Sequence, residues 1–351
     1  MKVDVAAAIT GSNRAHREVN FTALMIGLVV LLLALTGLSL FTGRGAATGG
    51  LGDLFSLWKQ DPETAWIILS QVRLPRTMLA IFVGASLGLS GAVLQGLLRN
   101  PLAEPALLGA SSSAALGAVT VFYFGVGGMS YLLPFGGMAG TLIATAVLLV
   151  LGGRSQDTLT LILAGVAINS LTAALTSLAL NFAPSPYAAL EIVFWILGSF
   201  ADRTLDHVYM SVPLMIIGWG FLATTGRALE ALTLGEDTAA TMGFNLMSVK
   251  LRAILGTAFC VGASVAVTGV VSFVGLVVPH ILRPLVGYRP GRLLLPSTIG
   301  GAALMLAADI GVRAISTSSE LKVGVVTALI GAPFFLHLLY VLRRTRPWPR
   351  T

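Results

Sequence analysis

The sequence predicts an all-α polytopic membrane protein, with about ten transmembrane helices in two inverted five-helix repeats. Three observations predict it. Of 351 residues, 56% are hydrophobic and only 11% are charged, where a soluble domain carries about 25% charged residues; the mean hydropathy is +0.88. Uncharged stretches recur that meet the about 20 residues a helical span needs. One stretch also occurs twice: VGASLGLSGAV at 83–93 resembles VGASVAVTGVV at 261–271, and Pro279 stands to the second copy as Pro101 stands to the first.

Taken in order, the elements follow from charge. Residues 1–20 are polar and carry Lys2, Arg14 and Arg17. Basic residues collect on the cytoplasmic side of membranes, so this tail reads as cytoplasmic. Asn20 to Gly43 is uncharged. A signal-peptide core is shorter, about 7–15 residues, so a retained first helix is expected at 22–42. The Gly-rich, mixed-charge residues 43–65 read as an external loop. The second span, Thr77 to Leu98, is introduced by Arg73 and Arg76 and closed by Arg99-Asn100-Pro101.

Pro105 to Gly153 is uncharged and too long for one span; a turn at 125–134 divides it into helices three and four. Thr158 to Leu190 holds helix five, stopped by Asn181, Pro184 and Pro186. The apolar piece 188–200 is too short to span and reads as an outer-surface or re-entrant helix. Helix six covers 208–226, and the polar interval 227–252 follows on the inside. Helices seven to ten fall at 253–271, from Ser272, at 293–313 and at 321–342. The tail 343–351 carries Arg343, Arg344, Arg346 and Arg350. Both termini are basic, so both are expected inside with an even number of spans. The chain reads as one transmembrane domain, with halves at 22–200 and 205–342. Five spans in each half make the repeat an inverted one, which is a transporter signature.

Several chemistries are excluded or disfavoured. No Gly-Lys pair occurs, so a GxxxxGK[ST] phosphate-binding loop is absent. His16, His207, His280 and His337 lie far apart, without the i, i+4 or HExxH spacing of a zinc site. The GxSxG match at Gly84–Gly88 lies inside a span, not on the strand-to-helix turn a nucleophile elbow requires; small-residue helix packing is its expected role. Cys260 is the single cysteine, which rules out a disulfide within the chain. The net charge of +7 reads as basic flanks of membrane spans rather than a nucleic-acid surface. Asp309 and Arg313 are the ionisable exceptions within a span, four apart on one helix face and able to pair.

Longer motifs carry a family resemblance. They are RLPRTMLA at 73–80, SGAVLQGLLRNPLAEPALLGAS at 90–111, LILAGVAINS at 161–170 and LTLGEDTAATMG at 232–243. SFVGLVVPHILR at 272–283, LLLPSTIGGAALMLAAD at 293–309 and ELKVGVVTALIGAPFF at 320–335 follow. The chain resembles the permease subunits of the iron-siderophore, haem and cobalamin ABC importers, the FecCD-type or type II fold. Lys322 departs from the proline common there.

The resemblance implies a permease subunit, not an enzyme, in the inner (plasma) membrane. It implies a second permease copy, most simply as a homodimer, two cytoplasmic ATPase subunits that hold the ATP and Mg, and a periplasmic solute-binding protein. No metal or cofactor is expected on this chain. The loop at 227–252, with Leu234, Gly235, Glu236, Met242 and Gly243, corresponds to the ATPase-docking segment. Asn100, Pro101, Leu102, Thr158 and Leu159 correspond to the cytoplasmic gate. Arg73, Arg76 and Arg313 match arginines that receive glutamates of the binding protein. Ferric citrate, siderophore, haem and cobalamin permeases share these motifs; an iron-siderophore, the commonest cargo, is the expected one. The alternative is a stand-alone secondary transporter or channel, but ion-coupled transporters place ionisable groups at mid-membrane, and spans two to five have essentially none.

Overall fold

The computed structural model describes residues 20–43, 51–124, 132–152, 158–183, 185–315 and 321–345. These residues are helical throughout, joined by short turns and coil. Among the described residues six helices are long and apolar enough to cross a membrane, and five shorter apolar helices accompany them.

Helix α1 (Phe21–Phe41) opens on Asn20, whose side chain accepts from the Thr22 N–H. Its flanks are mostly exposed. Helix α2 (Leu51–Gln60) and helix α3 (Pro62–Ile67) follow, where an external loop was expected. The reason is local. Leu51, Leu54, Phe55 and Trp58 recur at helical spacing, and Asp61 caps α3 ahead of Pro62, a residue suited to the first helical turn. Two hydrogen bonds from Thr64 hold the Asp61 carboxyl below the usual carboxylate range. Through a π-helical turn at Ile68–Arg73, α3 runs directly into α4 (Leu74–Leu97).

After a 3-10 turn at Pro105–Leu108 come α5 (Ala110–Phe124), α6 (Leu132–Gly152) and α7 (Thr158–Asn181). The short apolar piece is α8 (Pro186–Ile196), capped by Ser185. Helix α9 (Leu205–Ala223) starts with a capping box between Thr204 and His207. The polar interval is itself helical, with α10 (Gly226–Leu232), α11 (Glu236–Thr241) and the start of α12 (Leu246–Thr268). Helix α13 (Val274–Leu282) continues as a 3-10 turn to Val286, and α14 (Pro290–Ala314) and α15 (Val323–Thr345) complete the described chain. Several helices thus begin three to seven residues earlier than charge alone suggested, because caps and in-helix polar residues extend them past the apolar limits.

Helices α4, α12 and α14 form the buried centre. Small residues bring α4 and α14 into backbone contact. A Cβ added at Gly84 would overlap the Gly301 carbonyl, one at Gly88 would overlap Ser297, and one at Gly301 would overlap Gly84. This is the close approach that small residues permit between membrane helices, and it accounts for the GxSxG match. Gly91 meets Gly275 of α13 in the same way. The pairings Gly84–Gly301 and Gly88–Ser297 run in opposite senses, so α4 and α14 are antiparallel. The two copies of the repeated stretch lie on α4 and the end of α12. These helices pack together and also run antiparallel, because Lys250 near the start of α12 and Arg99 just beyond the end of α4 both reach Glu236.

Candidate coupling and gating site

The end of α4 sets the geometry. Arg99 donates its N–H to the Gly96 carbonyl and Asn100 donates to the Gln95 carbonyl. This is the bond pattern that closes helices on a left-handed residue, usually glycine. Arg99 takes that position with φ 48°, a conformation costing an L-residue about 1–2 kcal/mol. Asn100 Oδ1 then accepts from the Leu102 N–H at 2.9 Å, and the Ala103 N–H donates to the Asn100 carbonyl. Asn100, Pro101 and Leu102 are therefore a compact, self-bonded turn. Thr158 and Leu159 open α7, but their side chains lie outside the described residues.

The same closing pattern ends α11. Gly243 donates to Ala240 and Phe244 to Ala239, with Gly243 at φ 89°. Gly235, at φ 108°, precedes the helix. Two glycines in a region L-residues avoid thus bracket α11. Ala239 on its inner face is fully buried, whereas Leu234 and Met242, which flank the helix, are 64% and 58% exposed. The helix presents two apolar side chains outward on a segment otherwise polar.

Glu236 joins the two turns. Its carboxylate lies 3.9 Å from Arg99 and 3.4 Å from Lys250 on the first turn of α12. Neither spacing nor periodicity pairs Arg99 or Lys250 with Glu236; only the folded chain brings them together. Behind this triad lies a cavity of about 280 Å³ lined by Gln95, Arg99, Pro101, Thr233, Arg283 and Tyr288. Gln95 donates to the Gly275 and Leu276 carbonyls and accepts from Arg283, linking α4 to α13 beside the turn.

The opposite end of α4 lies about 36 Å away at 1.5 Å per residue. There Arg73, Arg76 and Arg313 come together. Arg76 grips Asp309, with Nε 3.0 Å from Oδ1 and Nη2 2.8 Å from it. Arg313 meets the other oxygen at 3.0 Å, as its spacing from Asp309 foretold. Arg313 also donates to the Ser39 and Thr42 carbonyls, and Arg73 donates to the Leu40 carbonyl. These carbonyls belong to the last turn of α1, which lacks intrahelical partners and favours cations. Arg73 and Arg313 are 3% and 4% exposed and Asp309 is buried; Arg76 keeps a 12% exposed side chain. All three expected docking residues thus occupy one cluster, but turned largely inward.

Among the described residues no group of His, Cys, Asp and Glu could hold a metal ion. The described fold is a bundle of apolar helices, several of them long enough to cross a membrane, with a polar helical lobe at one end. Residues 20–343 match the FecCD transport family, and the chain belongs to that family. The vitamin B12 import system permease protein BtuC of Salmonella newport (strain SL254) is 37% identical over 323 residues, covering 90% of this chain and 94% of that protein. BtuC of Salmonella typhi matches to the same extent. A solved structure described as an inward-facing conformation of a metal-chelate type ABC transporter superposes with a TM-score of 0.80 at 32% identity, over 92% of this chain and 99% of the other.

Proposed function

We propose that this chain is the membrane-spanning permease subunit of an ABC importer that carries a bulky metal chelate across the inner membrane. The observation that carries this reading is the α10–α11 lobe, where Glu236 ties an outward-facing apolar pair to the turn at Asn100. A solvated lobe with exposed Leu234 and Met242 fits a soluble partner, since contiguous exposed apolar groups mark interaction surfaces. A separate ATPase docking there would act on Glu236 and, through Arg99, on the gate turn. On this reading the lobe and both termini lie in the cytoplasm, the chain spans the membrane ten times in two inverted halves, and the arginine cluster lies outside. A second permease copy, two ATPase subunits and a periplasmic binding protein complete the assembly. The ATP and Mg reside on the ATPases.

For the cargo, the relatives named for vitamin B12 import support a cobalamin-like corrinoid. The iron-siderophore, expected as the family's commonest cargo, is the second reading, supported by the neighbour described as metal-chelate type. The test is uptake into proteoliposomes holding this permease and its ATPase, supplied with the binding protein encoded beside it. ATP-dependent uptake of labelled cobalamin and not of a labelled ferric siderophore supports the first reading, and the converse supports the second. ATP-independent uptake driven by an ion gradient sinks the importer reading.

A further inference from the structure

A second cavity, of about 510 Å³, opens on the flank of the bundle at the end that carries α10. It is distinct from the cavity behind the gate turn, since the two share no lining residue. Its rim is polar and its wall is apolar. Arg227, on the first turn of α10, and Arg292, on the first turn of α14, stand at the rim with exposed side chains. Leu89, Trp219, Leu294 and Leu295 line the wall, which extends to Thr298. Thr298 is six positions beyond Arg292, so the wall reaches about 9 Å into the span at 1.5 Å per residue. Trp219 is a fixed part of that wall, stacked on Phe82 at 5.4 Å and donating to Ser86 Oγ at 2.9 Å.

The rim also holds Glu230. A Cβ added at Gly291 would lie 2.9 Å from Glu230 Oε1, so this carboxylate rests on the first turn of α14, where a helix favours negative charge. Glu230 is thereby turned toward the helix start, while the two guanidiniums border the opening. Two cations against one carboxylate leave the rim with an excess of one positive charge.

We propose that this cavity binds an anionic phospholipid, with the phosphodiester between Arg227 and Arg292 and an acyl chain along Trp219 and Leu295. The charge of the rim matches a phosphate. The apolar wall of the span matches a hydrocarbon chain, and a basic pocket between helices at the membrane surface is a setting in which lipid headgroups bind. A soluble protein would satisfy the rim but would leave the wall, with Leu295 55% exposed, to be covered by something else.

The test uses the full chain with Trp58, Trp66, Trp195 and Trp348 replaced by Phe, leaving Trp219 as the sole indole. The protein is reconstituted in phosphatidylcholine vesicles doped with brominated phosphatidylglycerol or brominated phosphatidylcholine, and quenching of Trp219 is titrated. One excess surface charge corresponds to about a fivefold preference, so phosphatidylglycerol should quench at about one fifth the mole fraction. R227Q with R292Q leaves Glu230 as the only charge of the three and should abolish the preference for phosphatidylglycerol or reverse it, whereas R227K with R292K should keep the preference and show that the fold survives. Equal quenching by both lipids in the parent, or none by either, overturns the proposal. Abolition of quenching when the ATPase is added would assign the cavity to a protein contact and also overturn it. The readout does not involve transport, so it stands apart from the cargo question.

Discussion

Arg76 and Asp309 lie 233 residues apart in sequence, yet they meet through a fork in which Nε and Nη2 both reach the carboxylate. The pair ties the start of α4 to the last turns of α14, and Arg313 shares the same carboxylate. Two helices therefore meet on one buried acid, and Arg313 carries the contact on to the Ser39 and Thr42 carbonyls at the end of α1. Asp309→Ala should leave two buried guanidiniums without that partner and cost about 3–5 kcal/mol. Thermal unfolding of the detergent-solubilised protein should show a large drop. A change within error would mean that other groups hold the arginines unaided.

The same cluster holds the three arginines proposed to receive the binding protein. Arg76→Glu, Arg73→Glu and Arg313→Glu are each expected to weaken association with the binding protein, with the loss shrinking as salt rises, because charge attraction is screened beyond about 8 Å at physiological ionic strength. Arg76 is the most accessible of the three and should show the effect with least loss of folded protein. Association measured by surface-immobilised binding protein at low and high salt separates the two contributions. Loss of thermal stability with unchanged association would leave the three arginines a purely structural role.

Backbone contact between α4 and α14 leaves no room for side chains. Gly84→Val and Gly301→Val should each force the helices apart and abolish monodisperse protein on size exclusion, as overpacking costs about 1–3 kcal/mol even where a core can shift. Gly220→Val, where an added Cβ meets nothing within 4 Å, should behave like the parent. Equal behaviour of all three variants would contradict the packing described.

At the other end, Glu236→Lys would face both Arg99 and Lys250 with like charge. The variant should insert normally but lose ATPase stimulation or transport. Arg99→Gly should make the turn after α4 easier to form, since glycine accepts φ near 48°, while cutting the link to Glu236. Its transport is expected to fall although its thermal stability does not. Asn100→Trp should raise passive leak in liposomes without ATP or reduce transport, without altering cargo preference. A changed preference alone would count against the gate.

Much of this was legible in the sequence because membrane spans declare themselves by missing charge. The all-helical, apolar character, the Asp309–Arg313 pair and the small-residue interface at Gly84–Gly88 all follow from residue type and spacing. The helices at 51–67 were not legible, since their periodicity is short and interrupted by Asp61-Pro62. Arg76 could not be matched to Asp309, nor Arg99 and Lys250 to Glu236, because the partners come from different helices and only the folded chain juxtaposes them. The inward turn of Arg73 and Arg313 was hidden for a related reason. A basic residue at a span end reads as solvent-facing until the unsatisfied carbonyls of a neighbouring helix are in view.

Where two helices touch through Gly84 and Gly301, backbone meets backbone, and little is left at that point to absorb sliding. Such a pair behaves as a single beam, stiff along its length, and a displacement at one end must appear at the other or break the contact. Pushing on α11 therefore cannot be dissipated by the middle of the subunit. It has to be taken up where the beam stops, in the few coil residues after Leu97, so that turn is the pivot on which a stroke delivered at the polar lobe would act.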